Sequence, residues 1–337
     1  MTHAPGPLAE CRKPVSNVPD VRLAWVRPDD PAERSALDEK CADVGPPLIV
    51  RDAAASGRPV TRVAIVTWNL HDGRGDIAAL LGDLQAGRLG VPPPDAVVFL
   101  LQEYVPPESP ADAGSIAPAT TPFGWHLAYV PARLTSRRDA GGSVTTRGTA
   151  ILSTLPLGGL EAIELPMERQ RRLALAATIR GVTNTGGHWS ARVVSAHFEN
   201  RPGRRRLWLR AGAARTRQAE ALLDALDIGP HAAGPPREEA LILGADLNTW
   251  LGGVERAWRL LRDAFPLWVD EDARPTIGFR LRVDHLFARL PPGAGARHQR
   301  LDSRYGSDHH PVLAAIDFGT NHHGRAADER PPIQMEP

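Results

Sequence analysis

The sequence predicts an α/β fold in which two mixed β-sheets pack face to face with helices outside. Three observations predict it. Short apolar runs recur between Val63 and Phe318, and their length and β-branched content favour buried strands over helices. Amphipathic helical patterns separate some of these runs but not others, so strands both alternate with helices and follow one another directly. The runs are too numerous for a single sheet to bury, and two sheets in contact would bury them.

Residues 1–60 are rich in Pro, Asp and Ala and read as an N-terminal extension wrapped on the main body. They hold one predicted helix, 31–41, with Asp30 as N-cap and Pro31 at its first position. The main domain is predicted over 61–318. Its strand runs are VAIVTW (63–68), AVVFLL (96–101), TAILS (149–153), LALAATI (173–179), ARVVSAHF (191–198), ALILGA (240–245), RVDHLFAR (282–289) and PVLAAIDF (311–318). Helices are predicted over 76–89, where Ile77, Leu80, Leu81 and Leu84 form one stripe, and over 206–226 and 254–265. Segments 105–122, 131–147 and 228–238 read as loops, and the polar tail 319–337 as disordered.

Composition excludes several classes. At 337 residues, with 42% hydrophobic and 23% charged residues, the chain has room for one large domain or two small ones. A net charge of +1 gives no strong field for nucleic acid or an anionic membrane. Only Lys13 and Lys40 are lysines, so bound anions would meet guanidinium groups. The two cysteines, Cys11 and Cys41, suggest neither a zinc site nor a disulfide framework. No apolar run has the ~20 residues that cross a bilayer. No signal segment is visible, so the sequence as written reads as cytoplasmic. LAEC, ending at Cys11, would mean export and a lipid anchor if a longer start precedes it. A monomer is expected.

The chemistry lies at the strand ends. VAIVTW runs into Asn69, AVVFLLQ into Glu103, ARVVSA into His197, and ALILGA into Asp246 with Asn248 two residues on. Singly each has an ordinary reading: a turn carboxylate, a core histidine, an Asx turn in GADLN, a turn in GSDHHP. Together they repeat one arrangement in a fixed order.

TWNL (67–70), LLQE (100–103), RGTAILS (147–153), SAHFEN (195–200), LGADLN (243–248), VDHLF (283–287) and GSDHHPV (306–312) resemble the successive motifs of the endonuclease/exonuclease/phosphatase superfamily. The resemblance covers about 62–318. It implies a four-layer α/β sandwich and a phosphoester hydrolase dependent on Mg²⁺ or Mn²⁺. It also implies metal ligation by Asn69, Glu103 and Asp308, and catalysis by His197, Asp246, Asn248, Asp284 and His309. In that scheme Asp246 orients or deprotonates water, Asn248 holds a phosphate oxygen, Asp284 fixes the His309 tautomer, and His197 contacts a phosphate oxygen or the leaving group.

Arg201, Arg204 and Arg205 follow His197 and are candidate phosphate contacts, because arginines at a helix start oppose the dipole. Arg171 and Arg172 could line the cleft but read better as structural, as do His285, His310, Trp68, Trp250 and Trp258.

Several features depart from the family pattern. His71 stands where an abasic-site endonuclease has aspartate, RGTAILS offers no glutamate to pair with His197, and no hairpin of exposed aromatics for lipid insertion is visible. The expected partner is a phosphoester substrate, nucleic acid among the candidates. A phosphodiesterase or endonuclease is the leading expectation. A phosphatase acting on inositol phosphates or phospholipid head groups is the alternative. A catalytically dead binding module is disfavoured because Glu103, Asp246 and His309 are all present.

Overall fold

Strands covered on both faces need apolar side chains of both parities, which is why the main runs are almost continuously hydrophobic. In a computed structural model that describes residues 10–52, 58–106, 124–138, 144–200, 208–228, 239–265, 267–268 and 272–319, these runs become the centres of two mixed sheets. The strands are β1 Val15–Ser16, β2 Ala24–Val26, β3 Leu48–Val50, β4 Arg62–Asn69, β5 Ala96–Tyr104, β6 His126–Arg138, β7 Val144–Ser153 and β8 Gly158–Leu165. They continue as β9 Arg172–Val182, β10 His188–His197, β11 Glu239–Asp246, β12 Leu267–Trp268, β13 Asp284–Arg289, β14 Gly295–Arg300 and β15 Val312–Asp317. The helices are α1 Pro31–Val44, α2 Ile77–Gln85, α3 Trp208–Ala225 and α4 Arg256–Ala264.

One sheet has the order β1-β3-β6-β7-β5-β4-β15-β14 and the other β12-β13-β11-β10-β9-β8-β2. Strand β4 shows the layering by its parity. Val63 and Ile65 enter the core between the sheets with Leu100, Leu175 and Val193. Ala64, Val66 and Trp68 face the other way, onto the α2 stripe of Leu80, Leu81 and Leu84. The second sheet's outer face packs Val194, Leu241 and Leu243 against Leu222 of α3 and Leu261 of α4. The layers run helix, sheet, sheet, helix, the predicted four-layer sandwich.

The sheets approach closely beneath the site. A Cβ on Gly244 of β11 would lie 2.6 Å from Thr67 Cβ, so only glycine fits there. Gln102 Nε2 donates across the gap to Ser195 Oγ at 3.1 Å, tying β5 to β10.

Asp30 caps α1 by accepting from Ala32 N, and Asp76 caps α2 by accepting from Ala79 N. The segment 131–147, read from sequence as a loop, is largely hairpin: β6 runs to Arg138 and β7 begins at Val144. Pro131 argued against a strand, but the pairing shifts register between Pro131 and Arg133, which accommodates it. Polar β14 and the short edge strands had no apolar run to announce them. The tail 320–337 and most of the loops 105–122 and 228–238 lie outside the described residues.

Cys11 and Cys41 form a disulfide with Cα atoms 5.7 Å apart, correcting the expectation that their number and spacing imply no bridge. The pairing is tertiary: α1 carries Cys41 back over the turn Glu10–Arg12. A sulfur in that bond is not free to carry a lipid thioether. Beside it the buried Glu164 carboxylate accepts from Arg171 at 2.9 Å and from Arg12 and Arg27 at 3.1 Å. With the cysteines 30 residues apart, reduction is expected to destabilise the fold by about 3.5 kcal/mol. Urea midpoints with and without dithiothreitol, against Cys11→Ser/Cys41→Ser, check this; a double variant still sensitive to reductant would contradict it.

Candidate active site

The strand ends gather at one edge because β4 and β5 run parallel, as do β10 and β11, while β13 and β15 run antiparallel to their neighbours and begin where those strands finish. Cross-strand register puts His197 beside Asp246 and Asp246 beside Asp284, three chemical residues in a row across β10, β11 and β13. From the facing sheet, Asn69 Nδ2 donates to Asp246 Oδ2 at 2.8 Å. Asn248 N donates to Asp246 Oδ1 at 3.0 Å, and the Asn248 amide donates to Phe198 O at 3.2 Å. His309 Nδ1 meets Asp284 Oδ2 at 2.7 Å, and Trp68 Nε1 holds the His309 carbonyl at 3.1 Å. Asp246, Asp284 and His309 are all buried, and their ligating atoms lie within 4.8 Å of one another.

Burial, then the neighbouring Asp284 charge, pushes the Asp246 carboxyl up to about 7. Burial opposes a charge on His309, but Asp284, Asp246 and Asp308 outweigh it and push the imidazole up to about 10. His309 is therefore an imidazolium at neutral pH. Burial, with Arg172 and Arg147 nearby, holds His197 well below the usual histidine range, so it is neutral. Its Nε2 stands 3.5 Å from Asp246 Oδ2. Two histidines in one site thus carry opposite protonation.

A second, acidic group lies beside this one. Glu103 sits at an irregularity of β5 with a left-handed φ of 52°, which turns its side chain out of the strand's alternation. Its Oε2 accepts from Arg147 Nη1 at 2.6 Å and from Asp72 N at 3.3 Å, and Arg147 also pairs with Asp72. Burial raises the Glu103 carboxyl. Asp308 Oδ2 meets His71 Nδ1 at 2.7 Å, while its Oδ1 is buried without a hydrogen bond, 3.9 Å from His309 Nε2. Asn69 Oδ1 is engaged by His71 N at 3.0 Å.

Of the residues singled out in the sequence, Asn69, His197, Asp246, Asn248, Asp284 and His309 form one connected group, with Glu103 and Asp308 flanking it. Arg201, Arg204 and Arg205 lie outside the described residues. Three arginines complete the edge. Arg133, Arg147 and Arg172 line a recess with Glu103 and His197. Of these, the sequence pattern favours a structural role for Arg172 and singles out neither of the other two side chains. Neighbouring side chains at a strand start point to opposite sides: Arg171, just before β9, turns to Glu164, while Arg172, the first residue of β9, lines the recess with Glu103 and His197.

His285 points away from the site. It is buried beside Phe287 and Trp258, and burial pushes it down to about 3. The folded state then binds fewer protons than the unfolded chain between pH 3 and 6.5. Stability is expected to fall by up to ~1.4 kcal/mol per pH unit as the pH drops below about 6.5. Denaturant midpoints from pH 7 to 5 should show a shallower acid slope in His285→Phe; equal slopes would exclude this origin.

The model of the endonuclease/exonuclease/phosphatase family matches residues 66–309. The chain belongs to this family. The match spans every strand end that carries the site. SmcL is 14% identical, with a TM-score of 0.52 over 76% of this chain and 99% of that one. An endonuclease/exonuclease/phosphatase from Beutenbergia cavernae is 18% identical, at TM-score 0.49 over 76% and 72%. Sphingomyelinase C from Streptomyces griseocarneus is 18% identical, at 0.47 over 77% and 99%. At these identities the likeness concerns the fold alone. No curated protein matches the sequence. Endonucleases, exonucleases and phosphatases all hydrolyse phosphoesters, the broad activity that membership carries.

Proposed function

We propose that the protein is a divalent-cation-dependent phosphodiesterase in which Asp246 orients the attacking water. The observation that carries this reading is the buried set Asp246, Asp284 and His309, whose polar atoms lie within 4.8 Å of one another, with His309 held by Asp284 and Asp246 held by Asn69.

Asp246 is fixed through both oxygens, by Asn69 and by Asn248 N, so its remaining lone pairs have set directions toward a water. As a carboxylate it accepts the water's proton as the oxygen attacks phosphorus. His309, oriented through Nδ1 by Asp284, presents Nε2–H to a phosphoryl oxygen where negative charge grows. Neutral His197, whose Nε2 is 3.5 Å from Asp246, also lines the recess with Arg133, Arg147 and Arg172, whose guanidinium groups favour an anion there.

The donor chemistry fits a hard cation. Asp308 Oδ1 is a buried, unbonded carboxylate oxygen, and Glu103 adds a second carboxylate. In this reading Glu103 and Asp308 hold Mg²⁺ or Mn²⁺, and Asn69, engaged at both side-chain atoms, positions Asp246 instead of ligating. The bound cation would neutralise phosphate charge and stabilise the leaving oxygen.

Hydrolysis of bis(p-nitrophenyl) phosphate, compared with p-nitrophenyl phosphate and plasmid DNA in Mg²⁺, Mn²⁺ or EDTA, tests the proposal. Turnover of the diester that EDTA abolishes is expected. Faster turnover of the monoester would replace the diesterase reading with the phosphatase one, and EDTA-resistant turnover would remove the cation from it.

A further inference from the structure

Glu103, a cation ligand in the reading above, is held by guanidinium groups of the chain itself. Arg147 Nη1 donates to Glu103 Oε2 at 2.6 Å and also pairs with Asp72. Asp72 N donates to the same Oε2 at 3.3 Å, so that oxygen accepts twice. Arg133 Nη2 stands 3.5 Å from Glu103 Oε1, and its Nη1 is held by Gln170 at 2.8 Å. Two carboxylates thus face two guanidinium groups, and their charges balance.

The backbone is shaped for this contact. Asp72 and Glu103 take left-handed φ values of 57° and 52°, a conformation that costs free energy in residues other than glycine. Arg147 precedes Gly148, where a Cβ would lie 1.9 Å from Val130 O, so β7 is pressed onto β6 and the Arg147 backbone is fixed. Only the long side chain of Arg147 has freedom to move.

A dication and a guanidinium compete for Glu103 Oε2, because its lone pairs are taken and like charges repel strongly at contact distance. With the carboxylates already matched, a dication brings a surplus of positive charge that an anion relieves. The recess supplies the place for that anion. Arg147 lines it with Arg172 and His197, and Nε of both arginines is buried without a hydrogen bond.

We propose that Arg147 is an exchangeable counter-ion: it holds Glu103 until a divalent cation displaces it, and it then binds the substrate phosphate, so that cation and substrate anion bind cooperatively. This rests on the proposed function in taking Glu103 as the cation ligand. The cooperation is reciprocal, since whatever factor the anion adds to cation affinity the cation adds to anion affinity.

The test is electron paramagnetic resonance titration of the full chain with Mn²⁺, with and without inorganic phosphate, for wild type, Arg147→Gln and Arg147→Lys, each checked for folding by circular dichroism. Arg147→Gln is expected to bind Mn²⁺ on the order of tenfold tighter than wild type, because the competitor is gone, while Arg147→Lys keeps the charge and stays close to wild type. Phosphate should tighten Mn²⁺ on wild type by about tenfold, and clearly less on Arg147→Gln, where direct contact between the two ions is all that remains. Equal Mn²⁺ affinity in wild type and Arg147→Gln overturns the exchange and leaves the cation reading standing. So does a wild-type affinity that phosphate leaves unchanged, a result that needs no variant to fold. Folded wild type that binds no Mn²⁺ at all removes the cation from the proposed function, and the exchange falls with it.

Discussion

Asp246→Asn is expected to lower turnover of bis(p-nitrophenyl) phosphate on the order of 10³-fold while the protein still folds. The substitution keeps size and shape but removes the carboxylate that accepts the water's proton. Stability should change little because two effects oppose. Asp246 is buried beside Asp284 and pushed up to about 7, so above that pH its charge weakens the fold, and Asn removes the cost. Against this, Asn69 Nδ2 and Asn248 N both donate to the Asp246 carboxylate, and an amide oxygen accepts both less well. The net shift should stay within about 2 kcal/mol, read from urea midpoints. Full activity in the variant would dismiss Asp246 as the water-orienting group.

His309→Ala should also cost on the order of 10³-fold, but here stability must fall too. Without the imidazolium, the Asp284 carboxylate is left buried next to Asp246, an uncompensated charge worth about 3–5 kcal/mol. Adding Asp284→Ala should recover part of that loss and reduce turnover little further, since Asp284 acts through His309. A double-mutant cycle on both quantities checks the pairing. Additive losses of activity would mean that the two act separately and would break the proposed dyad.

Much of the fold was legible, for one reason: strands buried on both faces carry continuous apolar runs, as β4 does over 63–66, β5 over 96–101, β9 over 173–177 and β11 over 240–245. The parts that escaped lack that constraint. Strand β14 is polar and at an edge, and β6 carries a proline that only a local register shift accommodates. The site was legible as residues at strand ends, because sites of this kind grow from rigid core strands. Its partners were not. Arg147 and Arg172 begin or interrupt strands in ways that look like ordinary solvated ends, and only the packing of one sheet on the other brings them to Glu103 and His197.

By itself the sequence determined the α/β class and the family resemblance; it offered Asn69, Glu103, His197, Asp246 and Asn248 as chemical groups at the ends of apolar runs, while Asp284, Asp308 and His309 came through the resemblance. Only the tertiary structure decided how they are paired. It set Asp284 on His309, Asn69 on Asp246, Arg147 on Glu103 and Cys11 on Cys41. The shifted proton affinities of Asp246, His197 and His309 followed from the same step. Charge and proton affinity depend on distances between groups 25 to 177 residues apart in the chain, and no spacing along a sequence encodes those distances until the sheets close on one another.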